Sequence, residues 1–140
     1  MANPEHLKIL QQDVEEWNQF GDESHVDILR QNVEKWNRWR QENPEVTPDL
    51  RGARLFRAYL RKANLTGADM RGANLGKATL SWTDLSHADL SGAKLRAAYL
   101  RNADLCSAKL CKADFRRANL VNANVRDADF SDCLVYGISV

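Results

Sequence analysis

The stretch ANLTG ADMRG ANLGK ATLSW TDLSH ADLSG, residues 63–92, repeats a five-residue unit with a large apolar side chain at every position divisible by five. The unit continues in both directions, so nineteen apolar residues occupy these positions from Leu50 to Val140. Two positions earlier stands Ala in 15 of the 16 units from Ala53 to Ala128, and Thr83 is the exception. This repeat organises most of the chain.

A period of five fits neither a straight helix nor a straight strand. On a helix each unit would turn the apolar side chain by about 140°, which spreads the apolar set around the circumference. On a straight strand successive apolar residues would point to opposite faces, because five is odd. A short extended segment followed by a corner in every unit keeps them all inward. The sequence therefore predicts an all-β solenoid.

The pattern A(D/N)LXX over residues 53–132 resembles the pentapeptide repeat family. The resemblance implies a right-handed quadrilateral β-helix with four units per coil, and hence four to five coils over residues 48–140. With twenty residues per coil, side chains twenty positions apart stack in four ladders; one ladder contains Leu55, Leu75, Leu95, Phe115 and Val135. The entry PDLRGARL and the segment before it also resemble cyanobacterial members that carry an N-terminal helical extension.

Residues 1–47 form a second, internally duplicated region. Segments 6–20 and 25–39 are identical at 8 of 15 positions, and each carries apolar residues at helical spacing. A helix-stopping Gly21 and the later Pro44 bound the two segments. We expect an N-terminal α-helical hairpin that covers the open first coil, because solenoid ends need caps. The alternative is that the hairpin also docks another protein.

The net charge differs in sign between the N-terminal part of the chain and the repeat. Residues 1–50 contain 5 Lys/Arg and 11 Asp/Glu, net −6, whereas residues 51–140 contain 15 and 8, net +7. The outward positions beside the Leu55 ladder collect most of this charge, against one acid, Asp114. The predicted interaction residues there, which we call the basic wall, are Arg54, Arg57, Lys77, Lys94, Arg96, Arg116 and Arg117. The neighbouring face carries Tyr59, Trp82 and Tyr99.

The basic wall has two interpretations. It is either a solvated face that keeps the solenoid soluble or a docking site for an acidic partner. A protein partner is favoured over nucleic acid, since there is no groove lined with aromatic stacking platforms. Trp82 is either a contact residue or a cover for a disturbance caused by Thr83.

The sequence gives little support for an enzymatic activity. The sequence has no phosphate-binding glycine loop and no nucleophile motif, so we expect no catalytic residue, no cofactor and no metal site. Asp69, Asp89 and Asp129 recur at the same place in their units, which indicates a turn-stabilising role. Three cysteines without framework spacing and a start without a signal-peptide pattern predict a cytoplasmic protein that does not insert into membranes.

The sequence thus predicts a non-enzymatic protein-interaction module of unidentified specific role. Some members of the resembled family protect DNA gyrase by imitating duplex DNA, but imitation needs an acidic column and this column is basic. A DNA-mimicking gyrase modulator therefore stands as the second hypothesis. The third is a structural or assembly element, in which the C-terminal CLVYGISV, residues 133–140, forms a homodimer contact rather than a cap.

Overall fold

The computed structural model describes residues 2–6 and 33–140. Residues 4–6 and 33–42 are helical, and the second helix ends two residues before Pro44, as the sequence predicts. The rest of the predicted hairpin, including its connection at residues 21–24, lies outside the described residues.

A four-sided column begins at Asp49. Its sides are held by single parallel β-bridges that join residues twenty positions apart, such as Asp49 to Asp69 and Arg54 to Asn74. Four successive bridges join five residues on each of three sides, and three bridges join four residues on the fourth, which ends with Asp104 to Asn124. In the described part of the chain the extended segments are these isolated bridges, and no longer strand is present. The predicted solenoid with four units per coil is therefore observed.

Every unit that is followed by a further coil repeats one hydrogen-bond pattern. The amides of Leu50 and Gly52 donate to the carbonyls of Asp69 and Arg71 in the next coil, and the Asp69 amide donates back to Pro48. Within the unit, the Ala53 amide donates to the Leu50 carbonyl and closes a turn. Three bonds between coils per unit satisfy most of the backbone inside the column.

The turns place one residue per unit in the left-handed region. All eighteen residues from Gly52 to Gly137 at this position have φ between 55° and 74°; five are glycines and thirteen, including Trp82 and Ala97, are not. A positive φ at the third residue is the mark of a type II turn. The column therefore accepts a backbone conformation that side chains disfavour in exchange for four tight corners per coil.

The core contains only the two inward positions of each unit. The apolar residues from Leu50 to Leu120 and the alanines from Ala53 to Ala118 are buried. Thr83 is also buried, and its hydroxyl donates to the Leu60 carbonyl at 2.7 Å. A threonine therefore fits the inward alanine site with its polar atom satisfied.

The N-terminal end of the column is covered by helix 33–42 and by residues 3–6. Trp36 is fully buried, and its indole N–H donates to the Asn64 carbonyl at 2.7 Å. The side chain of Asn37 accepts the Asn64 amide at 2.7 Å and donates to Lys62, while Arg40 donates to Thr66. These side chains bond to backbone groups of the first coil that a preceding coil would otherwise satisfy.

The start of the first coil, at Asp49, is covered in the same way. The Asn3 amide donates to the Asp49 carbonyl at 2.8 Å, and the Asp49 amide donates to Nδ1 of the buried His6. The His6 ring packs 5.0 Å from that of Trp39. Burial lowers the pKa of His6 because it disfavours the charged imidazolium, and the neutral imidazole is the form that can accept this hydrogen bond.

The C-terminal end of the column is open. Beyond Leu120 the inward residues are only partly covered; Phe130 is half-buried, and Val125, Val135 and Val140 are exposed, the last at 86%. An apolar recess of about 400 Å³ lies among them. The amides of Val125 and Val135 also lack a backbone acceptor among the described residues, although their equivalents one coil earlier are bonded. This end therefore presents apolar side chains and an unpaired bridge edge.

Candidate interaction surface

The basic wall is one continuous side of the column. Its members occupy three outward columns: the bridge position, where Arg54 and Lys94 lie, and the two turn positions after each inward residue. Consecutive coils along a β-ladder are about 4.8 Å apart, so side chains in the same column are near neighbours. The structure thus brings the seven predicted basic residues onto one surface.

Arg116 differs from the other members of the wall. Its guanidinium makes two bonds to the Asp114 carboxylate, Nε to Oδ1 at 2.9 Å and Nη2 to Oδ2 at 2.7 Å. The hydrogen bond from Arg116 lowers the pKa of Asp114, so the carboxylate stays charged. The two charges compensate each other, and Arg116 contributes little to the field of the wall.

This pairing was not predicted, although the sequence carries a signal for it. Asp followed two residues later by Arg occurs at three repeat units, and all three form bidentate pairs: Asp49 with Arg51, Asp69 with Arg71, and Asp114 with Arg116. Arg96 follows Lys94 instead, so it has no carboxylate at the corresponding place. The motif Asp-x-Arg therefore separates compensated arginines from uncompensated ones in this repeat.

Four of the six remaining cations surround an open groove of about 530 Å³. Lys77, Lys94, Arg96 and Arg117 line it, together with the Asp114–Arg116 pair. Across residues 2–6 and 33–140, these four have no ion pair. The groove is therefore the most positive part of the wall, and it is open to a partner.

Phe56 forms one end of the groove and was not among the predicted residues. It is 46% exposed, and its ring lies beside Gly76, where an added Cβ would come within 3.0 Å of the ring atom Cδ2. The Arg57 guanidinium lies over the ring at 5.4 Å from the centroid. An outward Phe one coil below an outward Gly was the sequence signal that could have identified this contact.

On the neighbouring face, two of the three predicted aromatic residues lie in the same column and the third does not. Tyr59, Thr79 and Tyr99 follow one another along a single bridge column, and Tyr99 is 53% exposed. Trp82 lies at the left-handed turn position and is 55% exposed. Since Thr83 is fully satisfied in its inward site, Trp82 has no local disturbance to cover. The structure favours Trp82 as a surface available for contact.

The recurring carboxylates and amides act in turns. Every Asp or Asn at the bridge position, eleven in all, accepts through Oδ1 the backbone amide two residues later, as Asp89 does from Ser91 at 3.0 Å. This is the turn-stabilising role predicted for Asp69, Asp89 and Asp129.

Metal and thiol chemistry have no evident site in the described ranges. Residues 2–6 and 33–140 contain no group of three His, Cys, Asp or Glu side chains able to hold a metal ion. The three cysteines are free, and the Cys133 thiol donates to the Leu110 carbonyl. Burial raises the pKa of Cys133, which disfavours the reactive thiolate.

Comparison with known proteins agrees with this geometry. A family model described as pentapeptide repeats matches eight copies over residues 49–86, 63–102 and 98–134, more than half of the chain. The chain is a pentapeptide repeat protein. Members of this family form right-handed quadrilateral β-helices, and the right-handed sense stays a prediction for this chain. No curated protein sequence matches it significantly.

Several solved pentapeptide repeat proteins resemble the chain. Rfr23 from the cyanobacterium Cyanothece 51142 is 32% identical over 59% of this chain and 59% of its own, with a TM-score of 0.28. The protein alr5209 from Nostoc PCC 7120 is 30% identical over 60% of this chain and 84% of its own, TM-score 0.33. HetL, also from Nostoc PCC 7120 and involved in heterocyst differentiation regulation, is 32% identical over 64% and 56%, TM-score 0.25.

The described part of the pentapeptide repeat protein gives no sign of a membrane-spanning segment. Within residues 2–6 and 33–140, no helix has the length and apolar character needed to cross a bilayer.

Proposed function

We propose that this pentapeptide repeat protein is a non-enzymatic protein-interaction module whose basic wall binds an acidic surface of a partner protein. The observation that carries the proposal is the groove at Lys77, Lys94, Arg96 and Arg117, where four cations face solvent and form no ion pair within residues 2–6 and 33–140. Charge of one sign around a concave surface steers and retains partners of opposite charge. The exposed Trp82 and Tyr99 extend the proposed contact area onto the next side.

The arrangement of the other polar groups supports a binding role over catalysis. Carboxylates that could act as acids or bases, such as Asp89 and Asp114, are engaged in turns and ion pairs. A protein surface that is rigid, repetitive and decorated with outward side chains suits recognition. We further propose that residues 1–47 form a unit that covers the column of residues 48–140, as the bonds from Trp36 and Asn37 to the first coil suggest.

The test compares two triple charge reversals in the full 140-residue chain. The wall variant carries Lys77→Glu, Arg96→Glu and Arg117→Glu. The control carries the same change in net charge on the other three sides of the column, where Arg101, Lys109 and Arg126 are also exposed.

Tagged versions are used for affinity capture at low and high salt, followed by mass spectrometry. We expect wild type and control to capture the same acidic proteins at low salt and the wall variant to lose them. Equal capture by both triple variants would contradict the proposal.

The open C-terminal end favours a second candidate function, end-to-end assembly of two copies. The apolar recess around Val125 and Val135 and the unpaired amides of the last coil are complementary to another sheet edge. Val135→Glu should then abolish any concentration-dependent dimer seen by light scattering, whereas Val46→Glu, at an exposed valine away from this end, should not. A mass that stays monomeric at all concentrations would contradict it.

A further inference from the structure

The groove of the basic wall has two chemically different ends. At the first two coils, Phe56 lies beside Gly76 and leaves nearly half of its surface exposed. At the third and fourth coils the lining consists of Lys94, Arg96, Ala97 and Arg117, together with Asp114, whose charge is compensated by Arg116. A ligand that fills the groove must therefore present an apolar group at one end and negative charge at the other.

Gly76 is the reason that the apolar end exists. Its missing side chain leaves the space beside the Phe56 ring, because a Cβ would lie 3.0 Å from Cδ2 and 3.2 Å from Cε2. Such a separation is too short for carbon atoms in contact. Any larger residue would push the ring outward, so the side chain lies along the wall because of this glycine.

A second gap concentrates the positive charge. Ala97 interrupts the turn column formed by Arg57, Lys77 and Arg117, so a small residue lies between two cations, one coil below and one above. Coil spacing puts the backbones of Lys77 and Arg117 about 10 Å apart. Long basic side chains on both sides of a small residue can converge on one or two carboxylates held above it.

The length of the groove fits a short extended segment. It runs from Phe56 in the first coil to Arg117 in the fourth, which is about 14 Å at the spacing of a β-ladder. Four to five extended residues span that distance. Base stacking is disfavoured, because the Arg57 guanidinium already lies over the Phe56 ring.

Resting on the proposed function, we propose that the groove recognises an extended acidic segment of the partner protein that carries one apolar side chain. The apolar side chain contacts Phe56, and two or more carboxylates lie at the gap above Ala97, between Lys77, Arg96 and Arg117. The bipartite lining thus selects acidic segments with an apolar residue at one end over segments that are only acidic.

The experiment is a double-mutant cycle between protein and peptide, in which isothermal titration calorimetry with the full chain measures the binding affinity. The probes are acetyl-LGDED-amide, acetyl-GGDED-amide, which lacks the apolar side chain, and acetyl-LGNQN-amide, which lacks the charge. The protein variants are Phe56→Ala, Phe56→Leu as the conservative replacement, and Gly76→Ala, which displaces the ring.

We expect LGDED to bind about fivefold or more tightly than GGDED, the gain from partial burial of one apolar side chain. Phe56→Ala should weaken LGDED to the level of GGDED and leave GGDED unchanged, while Phe56→Leu retains most of the preference. Gly76→Ala should reduce the preference, and LGNQN should not bind. Phe56 is exposed, so its two variants should melt like wild type.

Three results would overturn the inference. The first is an equal effect of Phe56→Ala on LGDED and GGDED, the second is no binding of either peptide, and the third is tighter binding of pyrophosphate or of a short RNA than of LGDED. The capture experiment with the charge reversals is separate. If capture depends on the wall while Phe56→Ala changes nothing, the proposed function stands and the bipartite recognition fails.

Discussion

Replacing Leu95 by alanine tests the assignment of the column interior. Leu95 is fully buried, and its ladder neighbours Leu75 and Phe115, one coil below and one above, are fully buried as well. Truncating a buried leucine costs about 2–5 kcal/mol, depending on how far the surroundings collapse into the cavity. Here collapse is opposed, because hydrogen bonds fix the spacing between coils; the Leu95 amide itself donates to Asp114 at 2.8 Å. We therefore expect a loss of about 4 kcal/mol, in the upper part of that range.

The matched control is Leu134→Ala. Leu134 lies at an outward bridge position in the last coil and is 50% exposed, so the same truncation should cost less than about 1 kcal/mol. Both variants are unfolded with urea and followed by circular dichroism, at a concentration low enough to exclude self-association. Coincidence of transitions at two wavelengths checks that one cooperative step is measured, since repeat arrays can lose cooperativity. A cost for Leu95→Ala as small as that for Leu134→Ala would refute the inward assignment.

Three further predictions concern the turns, the N-terminal end and the runner-up function. Ala97→Gly should raise the free energy of unfolding by about 0.5–1 kcal/mol in a urea titration, because relief of a positive φ outweighs the extra freedom of glycine when unfolded; no gain would count against this. Since the pKa of His6 is lowered in the folded state, neutral His6 contributes stability above the ordinary pKa of 6.5, and this contribution is lost as the pH falls towards the folded pKa. The melting temperature should therefore depend less on pH over this range in His6→Gln than in wild type. An identical pH profile of the two proteins would disprove it. With net +7 on residues 51–140, the chain should leave gyrase supercoiling unchanged, and inhibition at stoichiometric amounts would restore the DNA-mimic hypothesis.

Much of the column could be predicted from the sequence, because a five-residue period with Ala and Leu two positions apart admits few backbones. The inward set from Leu50 to Leu120 and the coil of twenty residues are both observed. Individual hydrogen bonds between side chains and backbone were harder to predict from the sequence. That Thr83 donates to a carbonyl 23 residues earlier depends on the stacking of coils, which a local pattern does not encode.

The candidate site was predicted as a set of charges but not as a shape. Sorting outward residues by ladder placed Arg96 and Arg117 on one wall, yet all seven cations counted equally. The structure distinguishes them, since Asp114 compensates Arg116 and since Phe56 and Gly76 give the groove an apolar end. The Asp114–Arg116 pair joins side chains two positions apart, and the Phe56–Gly76 contact joins residues twenty positions apart in neighbouring coils. The cytoplasmic location and the hairpin over residues 7–32 stay predictions.

The most direct test of the central claim is a map of where an acidic segment binds. The 15.9 kDa chain, labelled with ¹⁵N, is titrated with a decapeptide of glutamate, and backbone amide shifts are recorded at low and at high salt. The largest salt-sensitive shifts should fall on the basic wall, at residues 76–77, 94–97 and 116–117. Equal shifts on the sides that carry Arg101 and Arg126, or no shift on the wall, would contradict it.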